Sequence, residues 1–196
     1  MTQNNNDMFS LYSSRLVKDS LRGKVNLESD DIPEISVPGY FQRHELPPVG
    51  ENYYSEIRNF ISPLAKECEE KGFGGNVFTA LYEAVLNAYT HGNNFDDSKS
   101  VLVGSNIKGN NLELIIADEG EELHPEFTRF ILAHRERTSQ TSNFINWYSF
   151  ADTNKKDPNN NGTGTSFMHA YVDNVLYFKS QDLGGLAVYL KKSKSK

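Results

Sequence analysis

The clearest alternation of apolar and polar positions lies between residues 75 and 92. Val77, Ala80, Leu81, Ala84 and Ala88 recur at three- and four-residue steps, which predicts an amphipathic helix over about 75–90 with one face in a core. Beside that face run Glu83, Asn87 and His91, spaced i, i+4, i+8, so a regular helix stacks them turn above turn. Such a polar row at the border of an apolar face is either the rim of a pocket or a solvated flank. For Glu-x-x-x-Asn taken alone, the flank is the commoner case.

The rest of the chain divides by the same test. Tyr54, Ile57, Ile61, Leu64, Ala65 and Cys68 predict a helix within residues 50–71, with Pro63 placed to kink or split it and Lys71-Gly72 as its stop. Residues 40–46 have the aromatic and β-branched flavour of an edge strand and end at Pro47-Pro48. Two apolar runs, 101–107 and 112–117, flank Lys108-Gly109-Asn110-Asn111 and read as a β-hairpin. The polar segment 121–161 has little strand character, with a helical stretch at 126–135. A segment of that kind inside a compact domain is a functional lid or a disordered insertion. Gly162-Thr163-Gly164 then opens a helical stretch, 165–172, and strands 174–180 and 186–191 close the chain around Gln181-Asp182-Leu183-Gly184-Gly185. The order β-α-α-β-β-lid-α-β-β predicts an α/β (α+β) fold: a two-layer sandwich of a mixed, largely antiparallel sheet with helices on one face.

Residues 1–38 do not match this pattern. They carry an Asn run, the acidic stretch Glu28-Ser29-Asp30-Asp31 and two prolines, Pro33 and Pro38, and read as a partly ordered extension. Leu11, Leu16, Val17 and Leu21 have the spacing of a short amphipathic helix able to dock on its own domain or on a second copy; a mobile tail is the alternative. The domain proper is expected over 39–192, and residues 193–196 form a basic tail.

Composition narrows the function classes. With 196 residues, 37% hydrophobic and 23% charged, the chain has the makings of one globular domain plus an extension. Its formal charge of −6 argues against general nucleic-acid binding, which needs a basic surface to displace counterions. A single cysteine, Cys68, forbids an intrachain disulfide and fits a reducing compartment. No apolar run approaches the ~20 residues of a membrane span, and the opening MTQNNNDMFS lacks the pattern of a secretory signal, so a cytoplasmic location is expected.

Three stretches carry candidate chemistry. Asp118 stands at the end of a predicted strand with Gly120 two residues on, a place where a carboxylate is held rigidly and can accept a hydrogen bond from an exocyclic amine. Gly162 and Gly164 precede a helix, where backbone N–H groups and the helix dipole favour a phosphate. A dinucleotide-binding fold is disfavoured, because this Gly-x-Gly follows a loop rather than a strand, and no P-loop, HExxH or GxSxG pattern exists. His169 reads as a helix-surface or edge residue, and Trp147 and Tyr148 as partner anchors or an aromatic plug.

In their fixed order these stretches, EAVLNAYTHGNN, IIADEGEELHPEF and NGTGTSFMHAYVDNVLYFKS, make the chain resemble the Bergerat-fold (GHKL, histidine-kinase-like) ATPases over about residues 40–192. The HGNN continuation and the short length favour the branch of the anti-sigma-factor serine kinases. The resemblance implies ATP and Mg²⁺ as cofactors. Asn87 would bind the Mg²⁺ that bridges the phosphates, and Glu83 would orient or activate the attacking hydroxyl. Asp118 would read the adenine amine, Gly120 would allow the close turn beneath the base, and Gly162, Gly164 and the adjoining Thr165 would line the phosphates. The implied partner is a regulatory protein, a sigma factor or an anti-anti-sigma-like protein carrying the target serine. Dimerisation is common in the group, and no direct nucleic-acid or membrane contact is implied.

Three departures from the family pattern favour a second reading. Glu122 stands where the family has its second glycine after the Asp and adds negative charge beside the expected nucleotide. Thr165 replaces a leucine. Gly184-Gly185-Leu186 replaces the Gly-Thr pair before the last strand, removing a hydroxyl from the neighbourhood of the Asp. The alternative is therefore a degenerate, non-catalytic binding module of the same fold acting as a protein–protein switch.

Overall fold

The computed structural model of the protein describes residues 32–47, 49–120 and 163–194. Among them are six strands, β1 (Glu34–Ile35), β2 (Gln42–Leu46), β3 (Val101–Lys108), β4 (Asn111–Asp118), β5 (Asn174–Ser180) and β6 (Leu186–Ser193). Three α-helices accompany them, α1 (Tyr53–Glu70), α2 (Asn76–Asn87) and α3 (Thr163–Tyr171), with a π-helical turn, Ala88–Gly92, directly after α2. The expected extension helix around 11–21 and lid 121–161, including Glu122, Trp147 and Tyr148, lie outside the described residues, as does Gly162.

The strands form one sheet in the order β1-β5-β6-β4-β3-β2. Every pairing is antiparallel except that of β1 with β5. The hairpin β3–β4 pairs Lys108 with Asn111 across Gly109, whose φ of 59° supplies the left-handed residue that the turn needs. Strand alternation sends Val101, Val103, Leu114, Ile116, Val188 and Leu190 to one face, where they pack with Ile57, Ile61, Val77, Leu81 and Met168 of the helices. The opposite parity, Leu102, Ile115, Ala117, Leu176 and Tyr189, joins Ile35, Val37 and Phe41 in a second apolar cluster to which no described helix contributes. The chain is thus a mixed α/β fold whose described helices share one face of the sheet.

Sequence and structure differ in three places. Residues 34–35, read as part of the extension, pair with β5, and Val37 covers Gly104 so closely that a Cβ there would overlap its side chain. Helix α1 runs unbroken through Pro63, whose ring faces solvent, and ends where expected. There Gly72 takes φ 88°, its N–H donates to the Glu69 carbonyl at 2.9 Å, and the Phe73 N–H donates to the Cys68 carbonyl at 3.0 Å. This is a Schellman cap, and it buries both Phe73 and Cys68. The third difference is the most consequential: α2 stops at Asn87 and widens into the π-turn, closed by the Asn93 N–H on the Ala88 carbonyl at 2.8 Å.

Candidate functional site

The wider turn changes what α2 presents. His91 falls within the π-turn and is exposed. Glu83 and Asn87 are half-buried on α2, and neither side chain has a hydrogen-bond partner among the described residues. Burial raises the Glu83 carboxyl above its ordinary value. Across from them lies Gly164 in the first turn of α3: a Cβ on it would overlap the Glu83 carboxylate and come within 3.8 Å of the Asn87 amide nitrogen. Glycine at this position is what lets the α3 backbone approach α2. Thr165 follows on the same turn, half-buried.

What the π-turn gains is the position of Gly92. A Cβ there would overlap the Asp118 carboxylate, and so would one on Gly185, in the turn before β6. A Cβ on Gly120 would stand 2.9 Å from Asp118 Oδ1 and 2.8 Å from the Gly92 carbonyl oxygen. Three glycines from three separate segments thus wall one carboxylate.

Asp118 is 3% exposed. Its Oδ1 accepts the Leu186 N–H at 2.9 Å and the Gly120 N–H at 3.0 Å, while Oδ2 has no donor among the described residues. Burial pushes the carboxyl up to about 6, against the downward pull of the Leu186 and Gly120 N–H groups and of the Lys99 charge. A buried acceptor without a donor is costly, and it marks a place where a ligand donor would be welcome.

A polar clamp holds this end of the sheet together. Asn93, fully buried, donates from Nδ2 to the Ser100 carbonyl at 2.8 Å and accepts the Glu119 N–H on Oδ1 at 2.8 Å. Glu119 Oε1 in turn accepts the Ser100 N–H at 2.9 Å and the Ser100 hydroxyl at 2.6 Å. The loop after the π-turn is thereby fastened to the residue between Asp118 and Gly120.

Glu83, Asn87, Asp118, Gly120 and Gly164 thus fall into two groups joined by the single turn Ala88–Gly92. Gly92, Asn93, Glu119, Gly185 and the Leu186 N–H were not assigned roles from sequence. HGNN and DLGG are visible there as glycine-bearing turns, but nothing local says that both meet at Asp118.

The donor set suits a nucleotide. Oδ2 of Asp118, a buried acceptor without a donor among the described residues, fits an amine-bearing base. No cluster of three His, Cys, Asp or Glu able to hold a metal occurs among the described residues. The Asn87 side chain fits instead the kind of site in which Mg²⁺ takes one or two protein oxygens and completes its shell from phosphates and water. No helix among the described residues is long and apolar enough to cross a membrane.

Comparison with known proteins agrees with this architecture. No curated protein matches the sequence. A family model, that of the histidine kinase-like ATPase domain, matches residues 51–192, which takes in α1, α2, the π-turn, β3 to β5, α3 and nearly all of β6. The carboxylate walled by glycines, the Glu83–Asn87 pair and the matched span together lead to one assignment: this chain belongs to the histidine kinase-like ATPase domain family.

Proposed function

We propose that the chain is an ATP- and Mg²⁺-binding regulatory protein that transfers phosphate to a serine of a partner protein, in the manner of the anti-sigma-factor serine kinases it resembles. The observation that carries this reading is the buried Oδ2 of Asp118, which has no donor among the described residues, inside its ring of glycines. Asp118 accepts a hydrogen bond from the exocyclic amine of adenine, and Gly92, Gly120 and Gly185 let backbone pack directly against its carboxylate. Asn87 offers its side-chain oxygen to Mg²⁺, and Gly164 brings backbone of the first turn of α3 close to the same place. Bound Mg²⁺ supplies neutralisation of the phosphate charge that builds during transfer. Glu83, whose carboxyl is raised by burial, takes the proton of the attacking serine hydroxyl. The partner would be a sigma factor or an anti-anti-sigma-like protein.

Calorimetric titration of the full chain with ATP and ADP, with and without Mg²⁺, tests the reading. Saturable binding that tightens with Mg²⁺ is expected, and no heat at millimolar nucleotide overturns it. Asn87→Ala is expected to retain nucleotide and lose the Mg²⁺ dependence. Glu83→Gln is expected to keep nucleotide affinity while phosphate transfer to the partner's serine disappears.

One observation favours the alternative, a binding module without turnover. The last strand opens on Leu186, which offers Asp118 only its backbone N–H where the resembled family has a hydroxyl. Under that reading nucleotide binds weakly or not at all, and the partner surface alone is functional.

A further inference from the structure

The loop that follows the π-turn carries an unusual residue. Phe95 has φ 59° and Asn94 before it φ 53°, so two consecutive non-glycine residues occupy the left-handed region, where a bulky side chain is disfavoured. The conformation does not bury the ring, for Phe95 is 53% exposed. It sets the ring edge-on to Tyr53 and Tyr89, at centroid distances of 5.6 and 5.9 Å, while Tyr53 packs on Tyr54 at 4.2 Å. Tyr54 is 56% exposed. Two elements far apart in sequence, the start of α1 and the loop after the π-turn, therefore place large aromatic surface together in solvent.

The rim of this patch carries three carboxylates, with the charge of Lys99 acting on one of them, Asp96. Asp96 and Asp97 follow Phe95 directly, and Glu56 lies three residues after Tyr53, on the same side of α1. Burial raises the pKa of the Tyr89 hydroxyl, and the charges of Asp97, Glu56 and Asp96 add to the rise, so the three carboxylates share the neighbourhood of that ring. Asp96 Oδ1 is engaged by the Ser98 N–H and hydroxyl, at 2.9 and 2.6 Å, which fixes that carboxylate at the rim. Exposed ring faces surrounded by carboxylates complement a planar cation, which can stack on a ring while its N–H groups reach the rim.

We propose that the patch of Tyr54 and Phe95, rimmed by Glu56, Asp96 and Asp97, is a docking surface for an arginine-bearing segment of a partner protein. The surface does not depend on the nucleotide reading, because it lies outside the ring around Asp118. It is joined to that ring by chain continuity, since Phe95 stands three residues after Gly92.

The test uses the full chain without nucleotide and a fluorescent peptide of alternating glycine and arginine, against the same peptide with lysine or citrulline. Anisotropy is expected to show arginine binding at least about fivefold tighter than lysine, and citrulline weaker still. Phe95→Gly leaves the net charge unchanged and suits the positive φ; it is expected to weaken arginine binding by about fivefold with an unchanged melting temperature. Tyr54→Ser, at an exposed position, is expected to do the same, and supplies the test should Phe95→Gly unfold. Glu56→Gln with Asp97→Asn is expected to reduce affinity for both cationic peptides. Equal affinities for arginine and lysine, or binding indifferent to Phe95→Gly and Tyr54→Ser, overturns the proposal in favour of general attraction to an acidic protein. A dimer in sedimentation that Phe95→Gly dissociates also overturns it, because the patch then belongs to a second copy.

Discussion

Asp118 holds its proton more tightly in the folded chain than in the unfolded one. Its carboxyl moves from an ordinary 3.8 to about 6, so between those values the native state binds the more proton. Stability therefore falls as pH rises through that window, and above about 6 the penalty is complete, on the order of 3 kcal/mol. Asp118→Asn is expected to melt at a higher temperature than the parent at pH 8 and at nearly the same temperature at pH 4. Its amide oxygen can take over the Leu186 and Gly120 N–H groups, which turns the NH₂ group to the position of Oδ2. There it faces an amine instead of accepting one, so the stabilised variant is expected to lose ATP in calorimetry at every pH. In the parent, ATP affinity is expected to rise from pH 5 to pH 7 as the carboxylate ionises.

Two neighbouring glycines make a second contrast at the same scale. Gly185→Ala would drive a methyl into Asp118 Oδ1, the Asp118 carbonyl oxygen and the Gly120 nitrogen. Two of these atoms are backbone, so relief requires the sheet end to move, and a loss of roughly 1–3 kcal/mol together with nucleotide binding is expected. Gly184 has φ 86° and open space around it. Gly184→Ala is expected to cost about 1 kcal/mol through the backbone alone, with binding intact. Urea melts and calorimetry on the pair separate strain from site damage.

Among the elements, the turn Ala88–Gly92 decides the site, because it delivers Gly92 to Asp118 and starts the loop that Asn93 fastens. Asn93→Ala leaves the buried Ser100 carbonyl and the half-buried Glu119 N–H without their partners. A loss of roughly 2–4 kcal/mol is expected in denaturant melts, with nucleotide affinity falling alongside. The regular parts of this end of the molecule were legible in the sequence: α2 through its apolar spacing, β3 and β4 through their runs and the Gly109 turn. The widening after Asn87 was not, because α and π turns bury the same residue types and differ only in which carbonyl each N–H meets. Strand β1 escaped notice because two residues between prolines show no alternation. Asp118 and Gly120 were legible as a strand end with a turn. Their ring was not, since Gly92 and Gly185 reach it only through tertiary packing.

Across the whole molecule, Asp182 ties the sheet's margin. From the β5–β6 turn it accepts the Val37 N–H on Oδ2 at 2.6 Å and an Arg43 Nη2 hydrogen on Oδ1 at 2.7 Å. Next to it Gln181 donates from its backbone N–H to the Ile35 carbonyl at 2.9 Å. The segment leading through β1 is thereby sewn to a turn that also begins the approach to Gly185. Asp182→Ala is expected to cost about 1–3 kcal/mol, since the half-buried Val37 N–H loses its acceptor, and Arg43→Ala below about 1 kcal/mol. Equal losses in thermal melts would mean that the ion pair, not the backbone bond, is what holds the margin.

The insertion of β6 between β4 and β5 would make the proposed nucleotide binding a completion signal. The hairpin β3–β4 can form locally, but Asp118 at its end lacks both the Gly185 wall and the Leu186 N–H until the last hairpin has docked. A chain cut short before β6, or one whose final hairpin has not yet paired, carries the Asp118 carboxylate without its complete surroundings. Ligand then stabilises finished molecules alone, by about 2.7 kcal/mol at a hundred times its dissociation constant. In a cell, occupancy would separate complete chains from incomplete ones before any partner is met.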